Sequence, residues 1–189
     1  MAFDAGMLAC MVREIRTVAL GGRIEKVMQP ERDEIILQLR STEGGKRLLI
    51  NAGTGPRISF TDLTRENPAQ APMFCMLLRK HLSGAVLDEI SQCGYDRVAK
   101  LSFTGYDEMG YLSKRILYAE LMGKYSNLIL TDEKNKIIAV AKPIDFADSN
   151  IRQLLPGLVY EAPPVVSKAD PLALNKDAFL SSFASYPQE

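Results

Sequence analysis

The sequence is poor in histidine and cysteine, and this scarcity limits the chemistry that it can support. It contains one histidine, His81, and three cysteines. A Ser-His-Asp relay could run only through His81, and a metal site built from several histidines is excluded. Cys10, Cys75 and Cys93 stand apart in apolar surroundings and form no CxxC pair. This pattern is typical of a reduced intracellular protein with buried thiols, rather than a disulfide scaffold or a zinc site.

The chain also lacks an excess of charge and long apolar runs. Its 23 basic and 23 acidic residues give a formal net charge of zero. Any contact with a nucleic acid must therefore come from local clustering of charge and from shape. No basic stretch with an apolar core opens the sequence, and no run reaches the about 18 apolar residues that a membrane helix needs. We therefore expect a cytoplasmic protein with no membrane partner.

Phosphate-binding and catalytic motifs are missing as well. There is no GxxxxGK[ST] loop, and neither Gly21 and Gly22 nor the turn at 53–55 fits the GxGxxG dinucleotide pattern. No pair of acidic residues is distinguished by its surroundings. Nothing in the sequence requires an enzyme, and we expect no catalytic residue, no cofactor and no metal ion.

The apolar pattern predicts an α+β fold, mostly antiparallel, with an N-terminal helix. Asp4 is a favourable N-cap for this helix, and Gly21 and Gly22 should end it. A second helix is predicted over residues 73–83. Alternating residues predict one sheet with a hairpin across Gly44 and Gly45, and another sheet in the second half of the chain. The predicted strands are 23–28 (ended by Pro30), 34–40, 47–52, 57–60, 86–92, 97–103, 115–122, 127–131 and 136–141.

The composition changes near the end of the sequence. Pro163, Pro164 and the polar residues and prolines after them are typical of an extended linker. Residues 172–183 have the pattern of a helix. We expect one domain over residues 1–165, and a linker with the beginning of a helical region over residues 166–189.

Arg79, Lys80 and His81 give the second helix a basic C-terminal end, called here the basic end. This position suits a solvated cationic face beside the negative pole of the helix dipole. The same side chains could contact the phosphates of a nucleic acid. The sequence leaves both interpretations open.

Asp96 and Arg97 follow Tyr95 at a predicted turn and open a predicted strand. Neighbouring charges of this kind are often unrelated surface groups or a weak local ion pair. At a turn beside a tyrosine, however, an arginine can also bind a base edge with two hydrogen bonds while the aspartate orients it. A nucleic-acid contact is therefore the alternative interpretation.

The segment Gly123, Lys124, Tyr125, Ser126 and Asn127 joins two apolar, strand-like runs. It is either a tight turn with capping polar residues or a nucleic-acid contact. Its cation, its aromatic ring and its short polar side chains could bind a phosphate, stack on a base and hydrogen-bond to a ribose.

Five stretches together resemble the NFACT-N domain of the RqcH/NEMF family, formerly called fibronectin-binding protein A. They occur in the order of the family and cover about residues 1–165. The stretches are residues 21–30, residues 67–68 with 72–81, residues 94–97, residues 120–130, and residues 155–157 with Tyr160, Pro163 and Pro164.

The resemblance implies a function in ribosome-associated quality control. Family members bind a large ribosomal subunit that carries stalled peptidyl-tRNA and recruit charged tRNA, alanine tRNA in bacteria, for template-free tailing of the nascent chain. The implied partners are the large subunit and the anticodon arm of tRNA, and the implied location is cytoplasmic and ribosome-associated. The family's Asp-Arg pair matches Asp96 and Arg97. We accordingly expect tRNA binding by Tyr95, Asp96 and Arg97, with RNA-backbone contacts from Arg79, Lys80, His81, Lys124, Tyr125, Ser126 and Asn127.

The resemblance also implies a fold similar to the N-terminal domain of formamidopyrimidine-type DNA glycosylases. Those enzymes use an N-terminal proline followed by glutamate, whereas Ala2 and Phe3 stand here. We therefore expect no glycosylase activity and no DNA partner. Full family proteins continue into a helix-hairpin-helix region and a coiled coil, so the chain is expected to be a fragment. The alternative function is a fibronectin-binding surface adhesin, which the apparent lack of an export signal disfavours.

Overall fold

The computed structural model describes residues 3–42, 44–147, 152–164 and 175–184. Helices lie almost entirely outside the strand-rich segments, as an α+β protein requires. The helices are α1 (Ala5–Ala19), α2 (Met73–Leu82) and α3 (Lys176–Ala184). The strands are β1 (Arg23–Glu31), β2 (Glu34–Ser41), β3 (Gly44–Asn51), β4 (Arg57–Phe60), β5 (Val86–Gln92), β6 (Val98–Tyr106), β7 (Leu112–Glu120), β8 (Asn127–Asp132) and β9 (Ile137–Val140), and a 3-10 turn spans Gly123–Tyr125.

The nine strands form one antiparallel sheet in the order β4-β3-β2-β1-β5-β6-β7-β8-β9. The prediction of a separate second sheet is wrong, because β1 pairs with β5 and joins the two halves. That junction is short, with Arg23 opposite Val86 as its registered pair. The predicted α+β class with a mostly antiparallel sheet and an N-terminal helix is confirmed.

Both halves of the sheet bury one face in the same apolar core. Ile35 and Leu37 of β2 and Leu101 and Phe103 of β6 are fully buried members of one cluster. Their alternation along each strand follows from the two-residue period of β-structure. Because inward faces from both halves meet, the sheet bends over on itself. The helical members of the cluster are Leu8, Val12, Ile15, Ala19, Phe74, Cys75, Leu78 and Leu82.

The N-terminus of α1 is held where the sequence predicts it. The Asp4 Oδ1 atom accepts the Met7 backbone N–H at 2.8 Å, which satisfies one of the unpaired N–H groups of the first turn. This cap fixes the start of α1 at one end of the sheet. Residues 165–174, which include most of the predicted linker and the first residues of the predicted helix 172–183, lie outside the described residues, and α3 begins at Lys176.

Several strand boundaries differ from the prediction, and two of the differences concern residues predicted to end a strand or form a turn. Pro30 does not end β1 but lies within it, at an irregularity of the β1–β2 register between Met28 and Glu31. A bulge tolerates proline because no ladder N–H is needed there. Gly44 and Gly45 are not the hairpin turn either, since they already pair in β3, with Gly44 opposite Ser41.

Candidate nucleic-acid interface

The turn between β5 and β6 presents Tyr95, Asp96 and Arg97 at one end of the sheet. The Cys93 N–H donates to the Val98 carbonyl at 2.9 Å and closes the turn. Arg97, predicted to open a strand, lies immediately before β6. All three side chains are partly exposed. The turn therefore presents a ring, a carboxylate and a guanidinium within three consecutive residues.

The Asp96 carboxylate is used within the turn, whereas the Arg97 guanidinium is not. Asp96 Oδ1 accepts the Arg97 backbone N–H at 2.7 Å. Gln92 Nε2 donates to the Asp96 carbonyl at 2.8 Å and to the Ala5 carbonyl at 3.0 Å, which ties the turn to α1. Within the described residues, the Arg97 guanidinium has no hydrogen bond and no ion pair, so the local ion pair considered from the sequence is not formed. Its fork of five N–H donors is left for a ligand.

Tyr95 lies against the first turn of α1. A Cβ atom added to Gly6 would stand 3.3 Å from the Tyr95 hydroxyl oxygen, so a glycine leaves the space that this side chain occupies. The half-buried ring thus supports the turn through α1. We infer that Tyr95 holds Asp96 and Arg97 in place more than it offers a stacking surface.

A cleft of about 380 Å³ lies beside Arg97. Its walls come from the N-terminal end of α1, the turn between β3 and β4, and the 3-10 turn. Its volume falls within the about 300–1,000 Å³ of typical small-ligand sites. Two arginines line the cleft, and none of its described lining residues is acidic. The lining residues are Phe3, Met7, Gly55, Pro56, Arg57, Arg97 and Gly123.

Sequence reasoning missed Arg57 and Phe3. Arg57 is the first residue of β4, directly after a glycine-rich turn, and Phe3 precedes the N-cap of α1. Neither position carries a local pattern that marks a binding residue. Only the bending of the sheet brings the β3–β4 turn next to Arg97, so a single sequence offers no signal for this pair.

Lys124 and Tyr125 are exposed at the same end of the sheet, next to Gly123 in the cleft wall. The Tyr125 side chain is 68% exposed. The Lys124 ammonium lies 4.9 Å from the centre of the Tyr125 ring, a weak cation–π contact at an exposed site. Both groups are free to meet a ligand that extends out of the cleft.

Ser126 and Asn127 are each 1% exposed, and this corrects their proposed contact with RNA. Asn127 Nδ2 donates to the Lys142 carbonyl at 2.7 Å, and its Oδ1 accepts the Lys142 N–H at 3.0 Å. The same Oδ1 accepts the Leu128 N–H at 2.9 Å. The amide therefore makes three hydrogen bonds inside the fold. The motif divides into an exposed half, Lys124 and Tyr125, and a buried structural half.

The basic end of α2 lies far from the Asp96–Arg97 turn. His81 Nδ1 is 3.5 Å from Arg115 Nε on β7. Arg115 pairs with Phe103, six residues along the chain from Arg97. At about 3.3 Å per residue, this places the two groups roughly 20 Å apart. A contact of the basic end with the same RNA would therefore lie about 20 Å from the turn, and this expected contact stays a prediction.

The basic end is also less available than its sequence indicates. Arg79 Nε donates to a backbone carbonyl of β1 at 2.9 Å, and Lys80 Nζ pairs with Glu108 at 3.1 Å. Burial lowers the pKa of His81, and the charges of Arg115 and Lys80 lower it further, while Glu108 opposes them. The imidazole is therefore neutral at pH 7. The expected patch of three phosphate-binding cations is reduced to two partly engaged ones.

Two further features bear on metal binding and on membrane insertion. The described residues contain no group of three or more His, Cys, Asp or Glu side chains placed to hold a metal ion. None of the described helices combines the length and the apolar character required to cross a bilayer.

The three thiols differ in exposure. Cys75 is buried and Cys93 is partly buried, but Cys10 is exposed on α1. The expectation of buried thiols is therefore wrong for Cys10. Its position on the outer face of an amphipathic helix explains the difference.

Cys93, in the turn before Arg97, should make stability depend on alkaline pH. Burial raises the pKa of the Cys93 thiol, and the charges of Asp96 and Glu120 raise it further, against an opposing effect of Lys100. A pKa raised by folding stabilises the fold below the unfolded value of about 8.5 and loses this contribution as the pH rises through the folded value. As the pH rises from about 8 to about 10, the Cys93→Ala variant should therefore lose less thermal stability than the unmodified chain. Thermal unfolding measured across this pH range tests the prediction. As a control, Cys10→Ala should lose as much thermal stability with rising pH as the unmodified chain. Parallel pH profiles for the two variants would contradict the prediction.

Comparison with known proteins adds independent findings. The family model of NFACT N-terminal and middle domains matches residues 4–189. The chain is 38% identical over 179 residues to the Rqc2 homolog RqcH of Streptococcus pneumoniae serotype 2, covering 94% of this chain and 32% of that protein. It is 37% identical over 182 residues to the Rqc2 homolog RqcH of Bacillus subtilis, covering 95% of this chain and 32% of that protein. The chain thus spans about a third of the length of these curated relatives.

The fold has a close counterpart among crystal structures. It is similar to the N-terminal domain of the fibronectin-binding protein PavA from Streptococcus pneumoniae, with a TM-score of 0.91 and 36% sequence identity. The match covers 98% of this chain and 74% of that chain.

Proposed function

The chain belongs to the family of NFACT N-terminal and middle domains, and from this premise we propose that it is the RNA-binding part of a ribosome quality control factor. Its relatives named RqcH and Rqc2 support this role. The proposed partners are a stalled large ribosomal subunit and charged tRNA, alanine tRNA in bacteria, which the factor recruits for template-free tailing. The proposed location is the cytoplasm, in association with ribosomes.

The observation that carries the proposal is the Arg97 guanidinium, which has no partner among the described residues and belongs to a residue that lines a cleft together with Arg57. A free arginine fork at the edge of a rigid turn suits a base edge or a phosphate. Asp96 orients the turn, and Tyr95 supports it from α1. These parts bind and position, and the proposed role is accordingly not enzymatic.

We extend the proposal to the tRNA anticodon arm, whose single-stranded loop exposes base edges that side chains can reach. A fold relationship to the N-terminal domain of formamidopyrimidine-type glycosylases belongs to the same proposal. Such a domain without the proline and glutamate pair would retain nucleic-acid binding without base excision.

Arg97→Ala should weaken binding of a cognate tRNA by about 1–3 kcal/mol and reduce discrimination between anticodon loops. Asp96→Ala should also weaken binding, because the turn loses the bond that shapes it, and Asp96→Asn should keep more affinity since it retains an acceptor. Fluorescence anisotropy with labelled tRNA measures both. Arg40→Ala, on an exposed arginine that pairs with Glu25, is the matched control. Equal affinity for the Arg97→Ala variant and the unmodified chain would remove Arg97 from the interface.

A second candidate function is fibronectin binding, favoured by the name of the similar PavA domain. Cell fractionation separates the two candidates. A pool that sediments with large ribosomal subunits supports the first, whereas a protease-accessible pool on the cell surface that binds fibronectin supports the second.

A further inference from the structure

The cleft beside Arg97 has the form of a single-nucleotide site. We propose that it binds one unstacked nucleotide of a single-stranded RNA loop, with the phosphate on Arg57 and Arg97 and the base against Phe3 and Met7. This inference rests on the proposed function and adds residues and a ligand class to it. No motif in the sequence points to Arg57, Phe3 or Met7.

The two arginines supply the anion-binding part. Arg57 and Arg97 both line the same cleft, and none of its described lining residues is acidic. Arg57 Nη1 makes one long hydrogen bond, 3.3 Å to the Gly55 carbonyl, so most of its donors are free. Arg97 has no partner within the described residues. Two like charges brought together without a counter-charge favour an anionic ligand with several acceptor oxygens, and a phosphate has this geometry.

The cleft also has apolar lining side chains. Phe3 is partly buried against the core, which holds its ring in place, and Met7 is 37% exposed. A fixed aromatic ring and a thioether are a suitable surface for the flat face of a base. The cleft therefore offers apolar and cationic lining side chains within a volume of about 380 Å³.

Two glycines keep the cleft open. Gly55 has φ of 83° and Gly123 has φ of 62°, both in the left-handed region that favours glycine. They form parts of two different turns that border the cleft, and neither places a side chain in it. Because neither glycine blocks the cleft with a side chain, a ligand can pass the two turns and reach the Phe3 ring.

The surroundings favour a nucleotide within an RNA loop over a free nucleotide. Lys124 and Tyr125 follow Gly123 and are exposed at the rim, where the neighbouring phosphate and base of a continuous strand would lie. A paired duplex could not place a base in the cleft, because its bases are stacked and hydrogen-bonded within the helix. The zero net charge of the chain also limits binding to long polyanions that make no specific contact.

The test uses an anticodon stem-loop RNA, a blunt duplex of the same composition and adenosine 5′-monophosphate as probes. Arg57→Gln should weaken stem-loop binding for all loop sequences and lower the slope of log affinity against log salt by about 1. Phe3→Ala should weaken it roughly 5- to 150-fold, and Phe3→Tyr should restore it. Arg40→Gln, on an exposed arginine at the far end of β2, is the matched control and should change neither value. Thermal unfolding of each variant confirms that it is folded.

The outcomes separate this inference from the function on which it rests. If Arg97→Ala weakens stem-loop binding while Arg57→Gln and Phe3→Ala bind normally, the proposed function stands and the nucleotide site is wrong. If the unmodified chain binds none of the RNA probes, both are wrong. Equal binding of duplex and stem-loop, or tight binding of adenosine 5′-monophosphate that does not compete with the stem-loop, would also overturn the inference. Crosslinking of 4-thiouridine in the loop to Phe3 or Met7 would support it directly.

Discussion

Replacing Arg152 with methionine should destabilise the fold by about 3–5 kcal/mol, because it leaves a buried carboxylate without its counter-charge. Glu120 on β7 is fully buried, and both of its oxygens bind the Arg152 guanidinium, at 2.8 Å and 2.7 Å. The Tyr160 hydroxyl donates to the same carboxylate at 2.8 Å. Urea unfolding followed by circular dichroism measures the loss.

Three variants test whether the loss comes from the unpaired charge. Adding Glu120→Gln to Arg152→Met should recover much of the stability, since no buried charge remains. Tyr160→Phe removes one hydrogen bond to a charged group and should cost about 1.5–3 kcal/mol. Arg40→Met breaks an exposed pair with Glu25 and should cost less than about 1 kcal/mol. A similarly small loss for Arg152→Met would show that the buried pair is not needed to satisfy Glu120.

This pair also bears on the proposed RNA interface. Glu120 stands opposite Val98 in the β6–β7 ladder, and the Leu121 N–H donates to the Arg97 carbonyl at 2.8 Å. The backbone of Arg97 is therefore hydrogen-bonded to Leu121, the residue that follows Glu120, and Arg152 binds the Glu120 carboxylate. The segment around Tyr160 packs here as well, with its ring stacked on Tyr118 at 4.0 Å. Stability at this point and the position of Arg97 are thus coupled by direct contacts.

Local patterns in the sequence predict much of the fold. The Asp4 cap, the start of α2 at Met73 and the alternation of apolar residues in β2 and β6 depend on neighbours within a few residues. Such signals survive in a single sequence because the period of burial follows the geometry of each element. The α+β class and the positions of most strands follow from them.

Contacts between distant residues could not be predicted in this way. The β1–β5 pairing that unites the sheet, the meeting of Arg57 with Arg97, and the Glu120–Arg152 pair all join segments far apart in the chain. The distance of the basic end from the turn is a further example. Its charge pattern resembles a phosphate site, but the pattern does not show that strand length places it about 20 Å from the turn.

Asn127→Ala should destabilise the fold by about 2–4 kcal/mol, the second-largest effect we expect among single substitutions. The amide pairs with both backbone groups of Lys142 and with the Leu128 N–H, in a site that is 1% exposed. Each such group left unpaired costs about 1–3 kcal/mol, and partial exposure of Lys142 lets water offset some of this. The Lys142 ammonium also donates to the Ala52 carbonyl at 2.7 Å, which links the two halves of the sheet. Loss of Asn127 should therefore broaden the thermal transition as well as lower its midpoint.

The adjacent serine provides the control for this prediction. Ser126 is equally buried, but its hydroxyl has no hydrogen-bond partner among the described residues. Ser126→Ala should therefore change the free energy of unfolding by less than about 1 kcal/mol. The two substitutions fall in one motif and at one burial, so their difference isolates the hydrogen bonds of the amide. Equal losses for both would indicate that the segment is held by packing alone. A large loss confined to Asn127→Ala would instead show that this part of the motif is structural, which leaves Lys124 and Tyr125 as the proposed RNA contacts.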